Sequence, residues 1–329
     1  MSVIIPVYNE PHWLGVSVAA VIQVARESAF DLLEVIVVDD GSDKVTKKAM
    51  SDLERAGTVR VVGHSENRGR LAARTTGLNA ARGEYVLFVD ARVSIKPGSL
   101  AFVSEQIDKP AFQVWNATVD IDDTSNPFAR FWQIIAELAW PAYFVANERV
   151  SYGPEEYDKY PKGTGCFFAP RVDLIDALTS TTSHFSDTRR GSDELFLRRL
   201  VERHRFNIAP GFSCVYRARP SFRGFVRHAH HRGVFFVDGF LRPGTRFFRS
   251  LLAFFPLSAL AVATAVRHPG RASRLLLGAP LLAVVGGVAK RRSLRDIRVM
   301  ASLSLPWLLA FSTGIWRGLA LLIRDRLRR

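Results

Sequence analysis

Four short runs of β-branched and aromatic residues limit the fold of this chain more than any other feature. The runs occupy residues 3–7, 35–38, 59–62 and 85–89. Two stretches with helical composition, 11–26 and 71–81, lie between them. Strands that alternate with helices at this spacing predict an open, Rossmann-like α/β sheet with helices on both faces. In the first helix the predicted inward residues are Trp13, Val16, Ala20 and Val24.

Polar residues follow each of these four runs. They are Tyr8-Asn9-Glu10, Asp39-Asp40-Gly41-Ser42, Asn67-Arg68-Gly69 and Asp90-Ala91-Arg92. In an open α/β sheet, ligands bind beyond the carboxyl ends of the strands. The sequence therefore predicts that the four clusters meet along one rim and form a ligand site. A polar turn after each strand is the alternative interpretation.

After residue 90 the pattern is less regular, but five further elements are predicted. They are a strand over 111–118, an aromatic-rich helix over 128–145, a mobile loop over 151–162, a strand over 163–169 and a helix over 172–178. Ser192 is predicted to cap a helix that begins at Asp193, because serine accepts hydrogen bonds from the free N–H groups of a first helical turn.

The chain changes character after residue 225. Of its 45 Lys and Arg residues and 31 acids, 18 basic and 3 acidic residues lie from residue 226 onward, so the first part is nearly neutral. Three uncharged stretches, 250–266, 275–289 and 301–316, contain 17, 15 and 16 residues. A membrane span needs about 20 apolar residues, so membrane spans and interfacial helices both stay open. Basic residues that flank apolar stretches favour membrane lipids over nucleic acid as the partner.

Four motifs in the first 90 residues resemble the successive motifs of the family 2 inverting glycosyltransferases. That family has the GT-A fold, so the resemblance implies a Rossmann-like open mixed sheet with helices on both faces. They are Ser2-Val-Ile-Ile-Pro-Val-Tyr-Asn-Glu, Val37-Val-Asp-Asp-Gly-Ser, Asn67-Arg-Gly-Arg-Leu-Ala-Ala-Arg and Gly83-Glu-Tyr-Val-Leu-Phe-Val-Asp. The resemblance continues more loosely through Gly163-Thr-Gly and Ser192-Asp-Glu-Leu to about residue 233. It implies a GT-A catalytic domain over 1–233 that binds a nucleotide-diphospho-sugar donor, followed by a membrane region of two to three helices over 234–329.

The resemblance also implies a nucleotide site along the predicted rim. Its base pocket carries over onto Pro6, Tyr8, Glu10 and Asp40, and Asp39 is a further candidate for binding the nucleotide sugar. A carboxylate there can accept the hydrogen of a base imide or amide group. Arg74 matches a family position that helps to hold the nucleotide. Arg68 and Arg70 are further candidates for phosphate contact, with solvated loop cations as the equal alternative.

One motif departs from the family at the position that neutralises the leaving diphosphate. The family has Asp-x-Asp, whose last acid holds Mg²⁺ or Mn²⁺, whereas this chain has Asp90-Ala91-Arg92. A guanidinium has no acceptor and cannot bind a metal ion. Asp90 is therefore the only candidate metal ligand from this motif. The presence of Arg92 predicts weak or absent metal dependence, because its positive charge can neutralise the diphosphate in place of a metal ion. An inactive relative that keeps the nucleotide pocket is a further alternative.

The family's catalytic base stands in an acidic pair at a helix start, which corresponds here to Asp193 and Glu194. Asp193 matches the base position, and Glu194 is the fallback. At a helix N-terminus the dipole favours an ionised carboxylate. A residue that only stabilises the helix is the alternative.

Transfer of one sugar to a lipid-linked acceptor is the predicted function. Extension of a polysaccharide or glycoprotein glycan, or an inactive scaffold, are the alternatives. The region 219–233 lacks the Gln-x-x-Arg-Trp motif of processive members, which argues against a long-chain synthase. A strand-like run, Ser2-Val-Ile-Ile-Pro-Val, follows Met1 directly. No secretory signal is recognisable, so a cytoplasmic catalytic domain at the cell membrane is expected.

Overall fold

The computed structural model describes residues 1–32, 34–146, 148–187, 189 and 191–328, with only the backbone for 271–277. These residues form two compact units. The sheet unit comprises Met1–Ile121, Trp140–Ser183 and Asp187–Arg217. The helical unit comprises Asp122–Ala139, His184–Ser186 and Ala218–Arg329. The functional division of the chain at residue 233 stays a prediction.

The first half of the sheet unit alternates strands and helices, as predicted. Its elements are β1 (Ser2–Val7), α1 (Pro11–Arg26), β2 (Glu34–Asp40), α2 (Lys44–Arg55), β3 (Arg60–His64), α3 (Arg70–Ala80) and β4 (Tyr85–Val89). The four strands are parallel and lie in the order β3-β2-β1-β4. Their carboxyl ends therefore meet at one edge of the sheet.

The chain between residues 93 and 216 extends this sheet and adds a second one. Its elements are β5 (Val93–Ile95), α4 (Ser99–Ser104), β6 (Val114–Asn116), β7 (Thr118–Ile121), α5 (Pro127–Ala139) of the helical unit, α6 (Pro141–Ala146), β8 (Val150–Tyr152), β9 (Cys166–Pro170), α7 (Arg171–Thr179), α8 (Asp193–Val201), β10 (Phe206–Ile208) and β11 (Ser213–Tyr216). The large sheet has the order β3-β2-β1-β4-β9-β6-β10-β8, and the small one β5-β11-β7. Since β9 runs antiparallel to β4 and β6, the large sheet is open and mixed, as predicted.

The core lies on both faces of the large sheet. Val3 and Ile5 of β1 pack into one apolar cluster and Ile4 into another, and all three are fully buried. A strand buried on both faces needs an unbroken apolar sequence, which is why these runs do not alternate with polar residues.

Helix α1 buries a face that only partly matches the predicted one. Its buried residues are Leu14, Ser17, Val18, Val21, Val24 and Ala25, and Ala20 is partly buried against the same core. Val24 was predicted correctly, but Val16 is 44% exposed. Apolar residues occur on several sides of α1, so its sequence alone does not determine which side meets the sheet.

The predicted helix over 128–145 is wrong, because it is two helices. Helix α5 ends at Ala139, and α6 begins at Pro141. Proline has no N–H group, and its ring clashes with the preceding turn, so a helix ends before it. The predicted strand over 111–118 is likewise divided: a 3₁₀-helix, Pro110–Phe112, precedes two short strands.

The predicted mobile loop over 151–162 is also wrong, because the segment is held in place. It contains the end of β8 and a 3₁₀-helix, Pro154–Lys159. Tyr152 and Tyr157 are buried, and both rings pack against Phe206. The polar composition of the segment hid this aromatic packing.

The helical unit contains α5, α9 (Phe222–Phe240), α10 (Phe248–Arg267), α11 (Pro269–Ala289) and α12 (Leu294–Leu327). Helices α9 and α12 meet at two glycines. A Cβ atom on Gly314 would lie 2.1 Å from the His230 carbonyl oxygen, and one on Gly233 would lie 2.3 Å from that of Phe311. Small residues of this kind let two helix backbones approach closely. Within the part of the chain that the structure describes, two helices, α10 and α12, are long and apolar enough to cross a membrane, and Gly278–Ala289 is a shorter apolar stretch.

Candidate active site

The ends of β1 and β2 lie side by side at the rim. The two strands are in register from Ser2 to Val7, which pairs with Asp39. Tyr8 follows at this edge with 48% of its surface exposed, and Pro6 before it is half-buried. The predicted meeting of the first two polar clusters is therefore confirmed, and their role in binding a ligand stays a prediction.

A tight turn after β2 orders the two aspartates. Gly41 has φ of 74°, and a Cβ atom there would lie 2.3 Å from the Glu66 carbonyl carbon, so only glycine fits. Asp39 Oδ1 accepts a hydrogen bond from the Ser42 backbone N–H at 2.7 Å. Asp39 thus shapes the turn in which a nucleotide contact is predicted.

Asp40 holds the loop that precedes α3. Its carboxylate accepts hydrogen bonds from the backbone N–H groups of Arg68 at 2.8 Å and Gly69 at 2.9 Å. His64 Nδ1 lies 2.8 Å from Asp40 Oδ1, and His64 Nε2 lies 2.9 Å from Thr76 Oγ1. Because both carboxylate oxygens have partners, Asp40 in this arrangement fixes the 68–69 loop beside the rim.

Arg74 joins two predicted acids. Its fully buried guanidinium donates from Nη2 to Asp90 Oδ1 and from Nη1 to Asp193 Oδ1, both at 2.9 Å. Nη2 also donates to the carbonyl oxygen of Thr164 at 3.1 Å. The end of β4 and the start of α8 are therefore held together by one side chain. Direct contact of Arg74 with a nucleotide stays a prediction.

Asp193 is a strongly stabilised carboxylate at the first position of α8. Thr164 Oγ1 donates to its Oδ2 at 2.6 Å, and Arg70 Nη2 lies 3.6 Å from the same oxygen. Burial by itself raises the pKa of Asp193, but Arg70, Arg74 and the Thr164 hydroxyl outweigh it and lower the pKa to about 2. Ser192 caps this helix, as predicted, by accepting a hydrogen bond from Glu194 N at 3.3 Å.

Glu194, the fallback base, lies in another cluster. Its carboxylate pairs with Arg198 Nη2 at 2.8 Å, and Arg198 Nη2 lies 2.6 Å from Asp158 Oδ1. Burial raises the pKa of Glu194, while Lys162 and Arg198 act in the opposite direction. Glu194 thus helps to attach α8 to the 3₁₀-helix Pro154–Lys159, and its contacts do not include Asp90 or Arg74.

Arg92 is paired with another predicted rim residue. Its Nε donates to Glu10 Oε1 at 2.7 Å, and its Nη1 donates to the Arg217 carbonyl oxygen at 3.1 Å. The Arg217 guanidinium lies over the Trp13 ring, 4.7 Å from its centroid. A cation therefore stands where the family motif has its second acid, and Glu10 orients it.

The donor set at the end of β4 does not fit a divalent metal ion. Asp90 is a single carboxylate, and one of its oxygens already accepts from Arg74. The next side chain of the motif is the Arg92 guanidinium. Within the ranges that the structure describes, no three His, Cys, Asp or Glu side chains form a metal-binding group. Arg74 binds both Asp90 and Asp193, and Arg92 binds Glu10, so each guanidinium near this strand end is already paired with a carboxylate.

Sequence reasoning missed three residues of the site. Thr164 supports Asp193 and Arg74, His64 supports Asp40, and the Arg217 backbone supports Arg92. Of these, only Thr164 lies in a motif that resembles the family, Gly163-Thr-Gly. His64 ends β3 and so lies at the rim, a signal that could have identified it.

The family comparison agrees with the motifs. The profile of the family described as Glycosyl transferase family 2 matches residues 2–176. GlyG of Streptococcus pneumoniae serotype 4, a glycosyltransferase, is 25% identical over 202 residues, which are 60% of this chain and 64% of that protein. The human dolichyl-phosphate beta-glucosyltransferase is 38% identical over 99 residues, 28% of this chain and 30% of that protein. The chain thus spans less than two thirds of the length of either relative.

Two solved structures resemble the whole chain. The mannosyltransferase PcManGT from Pyrobaculum calidifontis, in complex with GDP-Man and Mn²⁺, has a TM-score of 0.57 at 20% identity and covers 96% of this chain and 87% of its own. S. aureus TarS 1-349, in complex with UDP-GlcNAc, has a TM-score of 0.53 at 14% identity and covers 100% of this chain and 92% of its own. These likenesses confirm the predicted GT-A fold.

Proposed function

The chain belongs to glycosyl transferase family 2, and we propose that it transfers one sugar from a nucleoside-diphosphate donor to a lipid-linked acceptor at the cytoplasmic face of the cell membrane. The observation that carries this proposal is the link from Asp90 through Arg74 to Asp193, with hydrogen bonds of 2.9 Å on each side. It brings the predicted base to the end of β4, where the predicted donor site ends.

Asp193 is proposed as the general base of a single in-line displacement. The acceptor hydroxyl oxygen bonds to the anomeric carbon while the bond from that carbon to the diphosphate oxygen breaks. The hydroxyl proton passes to the Asp193 carboxylate. Attack from the face opposite the leaving diphosphate inverts the anomeric centre.

The low pKa of Asp193 requires a change when the donor binds, since a carboxylate with a pKa of about 2 accepts a proton poorly. Arg70 provides that change. About half of its side chain is exposed, and it lies 3.6 Å from Asp193, so it can turn toward a bound diphosphate. Removing this cation raises the pKa of Asp193 and makes the carboxylate a better base at the moment of transfer.

The leaving diphosphate is proposed to be neutralised by arginines more than by a metal. Arg92 and Arg70 supply guanidinium groups, which bind phosphate oxygens with two donors each. Of the two acids in the family's Asp-x-Asp motif, this chain keeps only Asp90 as a possible metal ligand. Mn²⁺ in the mannosyltransferase neighbour supports the opposite expectation. Turnover that persists in EDTA supports the proposal, whereas loss in EDTA with recovery on adding Mn²⁺ contradicts it.

The acceptor is proposed to carry a lipid. The basic, apolar region after residue 225 supports this proposal, and so does the relative whose name contains dolichyl phosphate. The two structural neighbours bind GDP-Man and UDP-GlcNAc. Both nucleotide types are therefore candidates for the donor of this chain. A thermal-shift screen of UDP-, GDP- and dTDP-sugars identifies the donor, because a ligand that binds only the folded protein stabilises it.

The function test combines the identified donor, in labelled form, with polyprenyl phosphate or with soluble glycans. We expect label in the lipid fraction with the native chain. Asp193→Asn is expected to keep the donor-induced thermal shift and to lose transfer by at least about 100-fold. Asp52→Asn, at a solvent-exposed carboxylate of α2, is the matched control and is expected to keep both. Label in glycan only contradicts the lipid acceptor, and undiminished turnover of Asp193→Asn contradicts the base.

An inactive membrane scaffold is the second candidate, and the Arg92–Glu10 pair is the observation that favours it. This pair, with 2.7 Å between Arg92 Nε and Glu10 Oε1, occupies the position of the missing acid. Donor binding without hydrolysis or transfer, across the whole acceptor panel, is the outcome that this alternative predicts.

A further inference from the structure

Helix α12 is attached at its first turn to a segment that leaves the sheet unit. Asp296 accepts two hydrogen bonds from Arg130, from Nε at 2.7 Å and from Nη2 at 2.9 Å. Arg295 donates to the backbone carbonyl oxygen of Asp123. Asp123 follows Ile121, the last residue of its sheet-unit segment, by two positions.

The other end of α12 is attached to a second such segment. Asp325, which is buried, accepts hydrogen bonds from the Ser186 backbone N–H at 2.9 Å and the Ser186 hydroxyl at 2.8 Å. Ser186 belongs to a segment of three residues, His184–Ser186, and Asp187 of the sheet unit follows it directly. Both ends of α12 therefore bind chain that is at most two residues from the sheet unit.

These attachments are incompatible with α12 crossing a bilayer. From Asp296 to Asp325 the helix rises about 43 Å, at about 1.5 Å per residue, whereas the hydrocarbon core is about 30 Å thick. A crossing α12 would put Asp123 and Ser186 on opposite faces, with the sheet unit bound to both. The apolar character that qualifies α12 as a span must therefore serve another purpose.

Helices α10 and α11 both pack against α12. Trp316 of α12 donates to Ser258 Oγ at 3.1 Å, midway along α10. Leu251 packs in the same cluster as Ile315 and Leu322. On α11, a Cβ atom at Gly287 would lie 2.8 Å from Ile297 of α12. Beyond Ser258, only about 13 Å of α10 remains, at about 1.5 Å per residue, which is too short to cross a bilayer from the level of α12.

All three helices carry exposed apolar side chains. They include Leu257, Leu260, Val266, Leu282, Leu309 and Ile323, each between 49% and 78% exposed. Exposed apolar residues that cluster on a surface mark membrane or partner sites. Trp316, partly exposed on α12, is of the type that prefers the interface between lipid and water.

Basic residues lie at every end of these helices. Arg246 and Arg249 lie at the start of α10, Arg267 and His268 at the α10–α11 turn, and Lys290, Arg291 and Arg292 after α11. If the hairpin crossed, its turn would place Arg267 on the far side. If it lies in the plane of one leaflet, all of these cations reach the same anionic headgroups.

We infer that this chain attaches to one leaflet without crossing it. Helices α10, α11 and α12 lie in the interface of an anionic bilayer on the side that carries the sheet unit. Their apolar surface enters the acyl layer, and the basic ends contact lipid phosphates. This inference goes beyond the proposed reaction and adds the membrane topology to the proposed attachment.

Cysteine labelling in sealed vesicles of known orientation tests it. Single cysteines are introduced at the two ends of α12, Leu294→Cys and Leu327→Cys, and at the hairpin turn, His268→Cys. Val45→Cys on α2 of the sheet unit is the matched reference; it is 65% exposed. Cys166 and Cys214 are buried and give little background. A membrane-impermeant maleimide is added to each side, and total reactivity is measured in detergent.

We expect all four cysteines to react from the same side. Reaction of Leu294→Cys and Leu327→Cys from opposite sides would show that α12 crosses and would overturn the inference. Reaction of His268→Cys from the side opposite to Val45→Cys would overturn it as well, because the hairpin would then span the membrane.

A binding experiment with the full purified chain makes the inference falsifiable where a cysteine variant fails to fold. The protein is sedimented with phosphatidylcholine vesicles with or without phosphatidylglycerol. We expect at least a several-fold larger bound fraction with the anionic lipid, and a similar loss for Leu260→Glu but not for the control Val45→Glu. Equal binding to both vesicles, or equal binding of Leu260→Glu, overturns it. Sugar transfer in detergent is measured separately, so failure of the topology is distinguishable from failure of the proposed reaction.

Discussion

Arg74 determines how the acids of the candidate site are arranged. Its guanidinium is fully buried and binds Asp90 and Asp193, which are contributed by different parts of the sheet unit. Removing one partner from a buried ion pair leaves the others uncompensated, which typically costs about 3–5 kcal/mol. Arg74 is therefore a positioning residue for Asp90 and Asp193.

The first prediction concerns Arg74→Ala. We expect the free energy of unfolding to fall by about 3 kcal/mol, measured by urea denaturation, and transfer to fall with it. Arg74→Lys restores the charge but not the two directed N–H groups, so it is expected to recover stability in part and transfer very little. Native stability in Arg74→Ala would contradict the bridging role.

The second prediction concerns pH. Asp193 has a pKa of about 2 against an ordinary value of 3.8, so its ionised form stabilises the folded chain above pH 3.8 and this contribution is lost as the pH falls through 2. In the free enzyme, kcat/KM is expected to show no acidic limb from Asp193 above about pH 4.

Arg70→Ala removes a positive charge that lowers the pKa of Asp193. The acidic limb of the kcat/KM profile is therefore expected to move to higher pH, and kcat/KM is expected to fall. Arg55→Ala, on the exposed surface of α2, is expected to leave the pH profile unchanged.

At the scale of elements, the start of α8 determines where the predicted base lies. Ser192 caps the helix and Asp193 occupies its first position. The next residue, Glu194, points into a different cluster because successive helical positions differ by about 100° in direction. The acidic pair of the sequence therefore becomes one residue of the site and one residue that holds the helix to its neighbours.

The third prediction tests this cap. Ser192→Ala is expected to lower stability by about 1 kcal/mol and to lower transfer by roughly tenfold or more, because the helix start that carries Asp193 loosens. Asp43→Ala removes a comparable cap, in which Asp43 accepts from Thr46 N at 2.8 Å at the start of α2. It is expected to cost similar stability with transfer unchanged. Equal loss of transfer in both variants would contradict a specific role for the α8 cap.

The fourth prediction concerns the α9–α12 contact. Gly314→Ala would place a Cβ atom 2.1 Å from the His230 carbonyl oxygen, so the helices must separate, at a cost of about 1–3 kcal/mol. Gly286→Ala on α11 has open space around its Cβ and is expected to be neutral or stabilising by about 0.5–1 kcal/mol. Thermal denaturation of the two variants measures the difference; equal melting temperatures would contradict the close contact.

At the scale of the whole molecule, charge and apolar surface are concentrated in one part of the chain. The residues after 225 carry 18 basic and 3 acidic side chains, and they include the apolar surface of α10, α11 and α12. The nearly neutral residues before them contain the candidate site. This asymmetry supports a division of labour between catalysis and attachment.

The fifth prediction follows from this asymmetry. Electrostatic attraction to anionic lipid is screened over about 10 Å at 0.1 M salt and about 3 Å at 1 M. Sedimentation with phosphatidylglycerol vesicles is therefore expected to decrease several-fold between these concentrations, with a remainder held by the apolar surface. Binding that is independent of salt would assign the attachment to apolar contact alone.

The sequence by itself determined the alternating fold, the rim of polar clusters and the start of α8. These features depend on local patterns: apolar runs buried on both sheet faces, turn residues after strands, and a serine before a helix. The replacement of the second acid of the Asp-x-Asp motif by Arg92 was visible for the same reason, because a motif is a local pattern.

Only the tertiary structure decided which side chains meet. Arg74 and Asp193 are 119 residues apart in the chain, and Asp325 and Ser186 are 139 apart; no local periodicity encodes such pairs. The buried face of α1, the interior direction of Glu194 and the order of the segment 151–162 were decided in the same way. Each depends on which neighbouring surface a side chain packs against, and that surface exists only once the chain has folded.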